Sequence, residues 1–211
     1  FQGMECTIIG NGDEEVTGLS FRSDAVEPGD MFFCIVGNVV DGHSFAQDAI
    51  DRGATSLVVQ RKVYLADATD VAEVVVADSR KAMAHAAVSF YDHPSADFSL
   101  VGITGTNGKT TTTYLVEHIA SVAGNRCGVI GTVGNKIAGR MEHSEHTTPE
   151  SPDLQKLFAR MRDAGCTVVA MEVSSHALDL QRTWGTDFAV TAFTNLTQDH
   201  LDYHHTFDDY F

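Results

Sequence analysis

Short apolar runs alternate with stretches in which apolar residues recur every three or four positions. The runs predict buried β-strands, and the spaced stretches, several of them closed by a glycine, predict amphipathic helices. The predicted strands cover 31–36, 56–59, 74–77, 98–103, 127–130, 167–171 and 188–193, and the predicted helices cover 43–52, 79–91, 109–123 and 153–164. Strands that alternate with helices indicate an α/β fold with mostly parallel sheets.

A polar segment at 92–97, which contains Pro94, separates a finished helix from the next strand and predicts a domain boundary. We expect a small α/β domain at 4–93, followed at 98–211 by part of a doubly wound, mostly parallel, P-loop ATPase-like domain. Residues 1–3, which precede Met4, are interpreted as the remnant of an expression tag.

Composition narrows the functional classes. The chain has 211 residues, of which 43% are hydrophobic, and its formal net charge is −15. That charge argues against nucleic acid or an anionic membrane as a partner, since both need a basic surface. No apolar run is long enough to span a membrane and no signal peptide is visible, so we expect a cytoplasmic protein. The four cysteines form no Cys-x-x-Cys pair and are predicted to be reduced core thiols.

The segment 100–113, LVGITGTNGKTTTT, predicts a phosphate-binding loop between a strand and a helix. Gly105 and Gly108 allow a tight turn whose N–H groups face a phosphate, Lys109 adds a full positive charge, and the Thr110 hydroxyl is suited to Mg²⁺. Ile103 stands where the usual pattern has its first glycine. The alternative is an ordinary glycine turn, but four successive threonines at a helix start are hard to explain by packing.

Polar residues follow two further predicted strands. Glu172 comes directly after the strand 167–171, where an acidic residue typically binds Mg²⁺, and His200 lies in the polar stretch after 188–193. Because ligands bind at the carboxyl ends of parallel strands, we expect Lys109, Glu172 and His200 along one sheet edge. Alternative interpretations are a helix-capping role for Glu172 and a structural role for His176 or His200. His204 and His205 have weaker claims and are expected in a solvated loop.

Four motifs resemble those of the Mur ligases of peptidoglycan synthesis, and within that family the ligases that add the third amino acid. They are TGTNGKTT at 104–111, TTP at 147–149, MEVSSHAL at 171–178 and NLTQDHLDYH at 195–204. The first domain agrees, since PGD at 28–30 and DGHSF at 41–45 are similar to the family's uridine-binding domain. One departure is Arg22-Ser23-Asp24, where the family more often has the acid before the serine and the arginine after it.

The resemblance implies a set of site residues. The expected catalytic residues are Lys109, Glu172 and His200, and the expected Mg²⁺ ligands are Thr110, Glu172 and His200. ATP would be held by Gly105, Thr106, Asn107, Gly108, Lys109, Thr110 and Thr111. The UDP end of the substrate would be held by Ser23, Asn38 and His43, and its muramoyl-dipeptide end by Thr147, Thr148, Ser174 and Arg182. From the residues alone, the segment 143–150 is equally well a solvent loop that caps the next helix.

The resemblance also implies a reaction. A carboxylate of UDP-N-acetylmuramoyl-dipeptide is phosphorylated by ATP, and an amino acid, diaminopimelate or lysine, attacks the acyl phosphate. The family has three domains, of which this chain matches the first and part of the second. We therefore expect a monomeric fragment without ligase activity of its own. Two other classes stay open at this point, a P-loop kinase or NTPase and a non-catalytic UDP-sugar-binding module.

Overall fold

The computed structural model describes residues 3–37, 39–65 and 71–211. The chain divides into two compact units, Phe1–Ala87 and Val88–Phe211. The division falls inside the helix Ser79–Phe90, a few residues before the segment predicted as a linker. The domain ranges 4–93 and 98–211 stay predictions.

The first unit is built on a sheet with the strand order β1-β5-β4-β3-β2. Strands β2 to β5 are parallel and β1 is antiparallel to β5. The strands are β1 (Cys6–Ile9), β2 (Gly18–Ser20), β3 (Asp30–Phe33), β4 (Ser56–Val59) and β5 (Ala72–Val76), and the α-helices are α1 (Ala46–Asp51) and α2 (Ser79–Phe90). Short 3₁₀ turns lie at Ser23–Ala25 and Gly42–Phe45.

Helices cover both faces of this sheet, which explains why its strands read as continuous apolar runs. Successive side chains of β3 point to opposite faces, so Phe32 packs in the cluster that contains Ala46 and Ala49 of α1. Phe33 packs in the cluster that contains Met83 of α2. Both phenylalanines are almost fully buried.

The second unit contains a sheet with the order β11-β6-β10-β7-β8-β9, in which β11, β6, β10 and β7 are parallel. The strands are β6 (Ser99–Thr104), β7 (Cys127–Ile130), β8 (Asn135–Ile137), β9 (Arg140–Glu142), β10 (Val168–Glu172) and β11 (Val190–Phe193). The α-helices are α3 (Lys109–Val122), α4 (Ser151–Asp163), α5 (Ser175–Asp179), α6 (Leu201–His204) and α7 (Phe207–Tyr210).

Helix α4 supplies much of the core of this unit. Its residues Leu154 and Phe158 are completely buried and lie in one cluster with Leu100, Val169 and Met171 from the central strands. Strands β6, β10 and β11 run parallel to one another, so their carboxyl ends form a single edge of the sheet. The loops that carry the predicted chemistry leave the sheet at this edge.

The predicted α/β class is confirmed, and every predicted strand and helix is found, the strands 56–59 and 127–130 with the predicted bounds and the others with shifted bounds. The strand predicted at 31–36 ends at Phe33, and the helix predicted at 43–52 begins as a 3₁₀ turn before α1. The segment 92–97 is not a simple linker, because it contains the 3₁₀ helix Pro94–Asp97 with Pro94 and Ser95 buried.

The cysteines are free, and Cys34, Cys127 and Cys166 are buried while Cys6 is half-buried. Burial raises the pKa of the Cys34 thiol to about 12, so this side chain is an inert core thiol. Within the described ranges, no helix combines the length and the apolar character needed to cross a bilayer.

Candidate active site

The loop between β6 and α3 is a tight backbone turn that a side chain at Gly105 would break. Gly105 has φ +122° and Gly108 has φ +86°, which is backbone that glycine adopts readily. A Cβ at Gly105 would lie 2.3 Å from Thr194 Oγ1. The loop is also held from the end of β11, because the Thr106 N–H donates to the Asn195 carbonyl at 2.9 Å and the Asn107 N–H donates to Asn195 Oδ1 at 3.1 Å.

Lys109 is the first residue of α3, and its side chain folds back over this loop. Its Nζ donates to the carbonyl oxygens of Gly105, at 2.6 Å, and Thr106, at 3.0 Å. No ion pair of Lys109 is found among the described residues. A helix N-terminus and an ammonium group beside a glycine loop favour an anion, and a phosphate is the natural ligand.

Glu172 is the last residue of β10 and is only 2% exposed. Its Oε2 accepts a hydrogen bond from Thr110 Oγ1 at 2.9 Å. The Thr110 proton is therefore directed at the carboxylate, and the lone pairs of its oxygen stay available. A carboxylate beside a hydroxyl oxygen is a donor set that suits Mg²⁺. The residues thus fit the metal predicted here, and the helix-capping alternative for Glu172 finds no support in these contacts.

His200 lies at the same sheet edge, in a left-handed backbone conformation with φ +52° at the start of α6. It lines a cavity of about 160 Å³ together with Lys109 and Gly105. The cavity wall is completed by Thr104, Ser174, Ser175, Leu178, Phe193, Leu196, Tyr210 and Phe211. Lys109 and His200 therefore line the same cavity. Glu172 is not among its lining residues, and it is joined to the start of α3 by the hydrogen bond from Thr110.

Histidine and tyrosine rings pack together beside this cavity. The His176 ring lies 4.8 Å from the His200 ring and 5.5 Å from the His204 ring, measured between centroids. Burial, followed by the charges of His200 and His204, lowers the pKa of His176. His204 is 9% exposed and its Nε2 lies 2.9 Å from Ser175 Oγ, so the expectation of a solvated loop is wrong for His204. His205 is exposed.

The segment that contains Thr148 packs against Glu172 from the other side. Thr148 is 1% exposed, and its Oγ1 donates to the Glu172 carbonyl at 2.9 Å. Arg182 donates to the Thr148 carbonyl at 2.9 Å and pairs with Glu150 at 2.8 Å. Ser174 caps α5 by accepting from the Ala177 N–H. Thr148, Ser174 and Arg182 are thus engaged within the protein, and a solvent loop is the wrong interpretation at Thr148.

In the first unit, His43 is 6% exposed and both of its ring nitrogens are engaged. Its Nε2 accepts from the Gln60 N–H at 3.0 Å, so its Nδ1 carries the proton and donates to Asp41 at 2.6 Å. Both ring nitrogens of His43 thus have partners within the protein, and its contact with the UDP end stays a prediction. Ser23 is half-buried and hydrogen bonds with Asp48. Asn38 lies outside the described residues.

Sequence reasoning missed Gly131 and Thr132, which follow β7. The Thr132 N–H donates to Glu172 Oε1 at 2.9 Å, and Thr132 Oγ1 donates to Oε2 at 3.2 Å. A Cβ at Gly131 would lie 2.1 Å from Glu172 Oε1. The signal in the sequence for this contact is Gly131, directly after a buried strand. Turns commonly contain glycine, however, and the residues around Gly131 do not indicate that the turn contacts Glu172.

Comparison with known proteins agrees with this geometry. The family described as "Mur ligase middle domain" matches residues 103–211, which is more than half of the chain, and "Mur ligase family, catalytic domain" matches 15–93. The chain belongs to the Mur ligase family.

Relatives within the Mur ligase family include the UDP-N-acetylmuramoyl-L-alanyl-D-glutamate--2,6-diaminopimelate ligase of Geobacillus thermodenitrificans. It is 50% identical over 199 residues, which is 94% of this chain and 40% of that protein. A solved structure of a ligase with the same name has a TM-score of 0.78 at 30% identity, over 92% of this chain and 39% of its own. The MurF ligase of Thermotoga maritima in complex with ADP shares the fold, with a TM-score of 0.56 at 19% identity over 95% of this chain and 42% of its own. The chain thus spans about 40% of the length of these relatives.

Proposed function

We propose that this chain provides the nucleotide-binding and UDP-sugar-binding part of an ATP-dependent ligase of peptidoglycan precursor synthesis. The acceptor is UDP-N-acetylmuramoyl-L-Ala-D-Glu, and the incoming amino acid is diaminopimelate, as in the relatives' names, or lysine. The observation that carries the proposal is the Thr110–Glu172 hydrogen bond beside the loop over which Lys109 is folded. Cytoplasmic location and a monomeric state remain predictions.

In this proposal the residues of the loop bind and orient the triphosphate. The N–H groups of 108–111 at the start of α3 and the Lys109 ammonium hold the phosphate oxygens, and Lys109 exchanges its two carbonyl contacts for them. Thr110, Glu172 and His200 would hold Mg²⁺, which supplies positive charge against the phosphates. At about 4 Å two like charges repel by roughly 4 kcal/mol at an effective dielectric of 20, so this charge is needed when a carboxylate approaches ATP.

The proposed reaction has two steps. A carboxylate oxygen of the acceptor attacks the γ-phosphorus, and the bond to the ADP oxygen breaks, which gives an acyl phosphate and ADP. The amine of the incoming amino acid attacks the acyl carbon, and phosphate leaves as the amide forms and the amine loses a proton. Thr147 and Ser174 lie near Glu172 and are proposed to contact the acceptor, while Thr148 and Arg182 are proposed to support them through the contacts described above.

The proposal is tested by titrating the chain with a non-hydrolysable ATP analogue in the presence of Mg²⁺. We expect Lys109→Met to weaken binding by about 100-fold, since a hydrogen-bonded charge contributes roughly 1.5–3 kcal/mol per contact. The matched control is Lys156→Met, an exposed lysine of α4, which should leave binding unchanged. Absence of analogue binding by the unmodified chain would refute the nucleotide site.

A second titration, with UDP-N-acetylmuramoyl-dipeptide, separates the proposed ligase from the other classes. A P-loop kinase or NTPase would bind the ATP analogue but not this UDP-sugar. A non-catalytic UDP-sugar module would bind the UDP-sugar with no response to Mg²⁺ and the ATP analogue. Binding of both ligands is the expected result.

A further inference from the structure

The carboxylate of Glu172 is held more by the turn after β7 than by the phosphate loop. Three described hydrogen bonds reach its two oxygens, and Thr132 donates two of them. We propose that Thr132 is a positioning residue, which sets the carboxylate of Glu172 for the cation and links it to Thr147. The inference rests on the proposed function, because it assigns a role within the same site.

The first argument is the geometry of the turn. The Thr132 N–H fixes Oε1 and its hydroxyl fixes Oε2, so one residue restrains both oxygens and thereby the rotation of the carboxylate plane. The preceding Gly131 provides the space, since a Cβ there would overlap Oε1 at 2.1 Å. A buried carboxylate is costly unless hydrogen bonds hold it, and Thr110 alone would leave Oε1 without a described partner.

The second argument is the direction of the hydroxyl protons. A hydroxyl has one proton, and that of Thr132 is given to Glu172 Oε2. The contact of 2.9 Å between Thr132 Oγ1 and Thr147 Oγ1 must then be donated by Thr147. Thr147 therefore offers only lone pairs to a ligand while Glu172 keeps the Thr132 proton. The Thr132 hydroxyl thus joins Glu172 to Thr147 in one chain of hydrogen bonds.

The experiment measures how much Mg²⁺ is needed for the non-hydrolysable ATP analogue to bind. We expect Thr132→Val, which keeps the backbone N–H but loses the hydroxyl, to raise the half-saturating Mg²⁺ concentration about 10-fold. Thr132→Ser restores the hydroxyl and should return it to within about twofold of the unmodified chain. Analogue binding without Mg²⁺, which depends on the loop and Lys109, should not differ among these variants.

The matched control is Thr167→Val. Thr167 is exposed just before β10, and its hydroxyl bonds Asn125 at 3.0 Å, so the same atoms are removed at the opposite end of the strand. It should leave the Mg²⁺ requirement unchanged. Thr132→Ala provides a second test if the valine variant is poorly folded, and thermal unfolding of each variant identifies such a case.

The outcomes separate this inference from the proposed function. If binding of the ATP analogue by the unmodified chain does not respond to Mg²⁺, the proposed function is wrong, and so is this inference. A Mg²⁺ response that is the same in the unmodified chain, Thr132→Val and Thr132→Ala would overturn the positioning role alone. A loss of Mg²⁺-free binding in Thr132→Val equal to the loss with Mg²⁺ would also overturn it, since the effect would then be general.

Discussion

Each unit contains a buried polar side chain at the centre of a hydrogen-bond network, but the two networks differ in the charged groups that they leave available to a ligand. In the first unit, His43 is bonded at both ring nitrogens, and its partner Asp41 also pairs with Arg61. In the second unit, Glu172 receives hydrogen bonds from threonines but forms no ion pair among the described residues. Within the part of the chain that the structure describes, the Lys109 ammonium donates hydrogen bonds only to carbonyl oxygens.

This difference provides a criterion that distinguishes residues that stabilise the fold from residues that bind a ligand. A network whose donors, acceptors and charges are matched internally contributes to stability and has little left to offer a ligand. A carboxylate and an ammonium held apart at one sheet edge keep their charges for a cation and a phosphate. By this criterion we expect His43 to support the fold, and we expect Lys109, Thr110 and Glu172 to bind the ligands.

The largest effect should come from breaking the ion pair between Arg182 and Glu150 in the second unit. Arg182 and Glu150 are 15% and 13% exposed in their side chains and pair at 2.8 Å. We expect Arg182→Met to lower the free energy of unfolding by about 3 kcal/mol, since it removes both the ion pair with Glu150 and the hydrogen bond to the Thr148 carbonyl. Urea unfolding measures this. An unchanged stability would favour the sequence-based prediction of a substrate contact instead.

The next effect tests the network of the first unit. His43→Leu removes the acceptor for the Gln60 N–H and the donor to Asp41, and we expect a loss of about 2 kcal/mol in the free energy of unfolding. Binding of the ATP analogue by folded protein should stay the same. The control is His85→Leu in α2, because the Nδ1 of His85 is buried without a described partner, and its loss should cost much less.

Buried strands and short hairpin strands differ in how well the sequence predicts them. The strands that became β4 and β7 were found with their observed bounds, because burial on both faces leaves a continuous apolar run. Strands β8 and β9 were missed, since three-residue strands of a hairpin such as Asn135–Ile137 carry no such run. Lys109 and Glu172 were predicted because they follow strands whose ends converge.

Sequence motifs alone do not determine the other parts of the candidate site. Thr132 looks like any turn residue until the sheet brings β7 beside β10 and the turn reaches Glu172. His43 has the letters of a uridine-binding motif, and only its contacts with Asp41 and Gln60 show that its nitrogens are engaged. Partners distant in sequence decide whether a polar side chain is free, and a motif does not contain them.

A smaller effect concerns pH at the histidine cluster. Burial, together with His200, His204 and Arg182, lowers the pKa of His176, while Asp202 opposes this. The unfolded chain then binds more protons than the folded one as the pH falls through the ordinary value of 6.5, so stability decreases in that direction. We expect His176→Gln to flatten this decrease between about pH 7 and pH 5. Thermal unfolding at several pH values measures it, and His205→Gln, an exposed neighbour, should not change the slope.

The smallest effect is expected at the exposed end of the first unit's network. The Arg61 side chain is 60% exposed, so Arg61→Gln should cost less than about 1 kcal/mol at pH 7. Its hydrogen bond is the largest cause of the lowered pKa of Asp41, followed by the bonds from His43. A lowered carboxyl pKa gives stability that is present above the ordinary value of 3.8 and is lost as the pH falls below it. The unfolding curves of the two proteins should therefore differ slightly at pH 7 and converge in acid. A difference that grows in acid would mean that Arg61 supports the unit through something other than the Asp41 carboxylate.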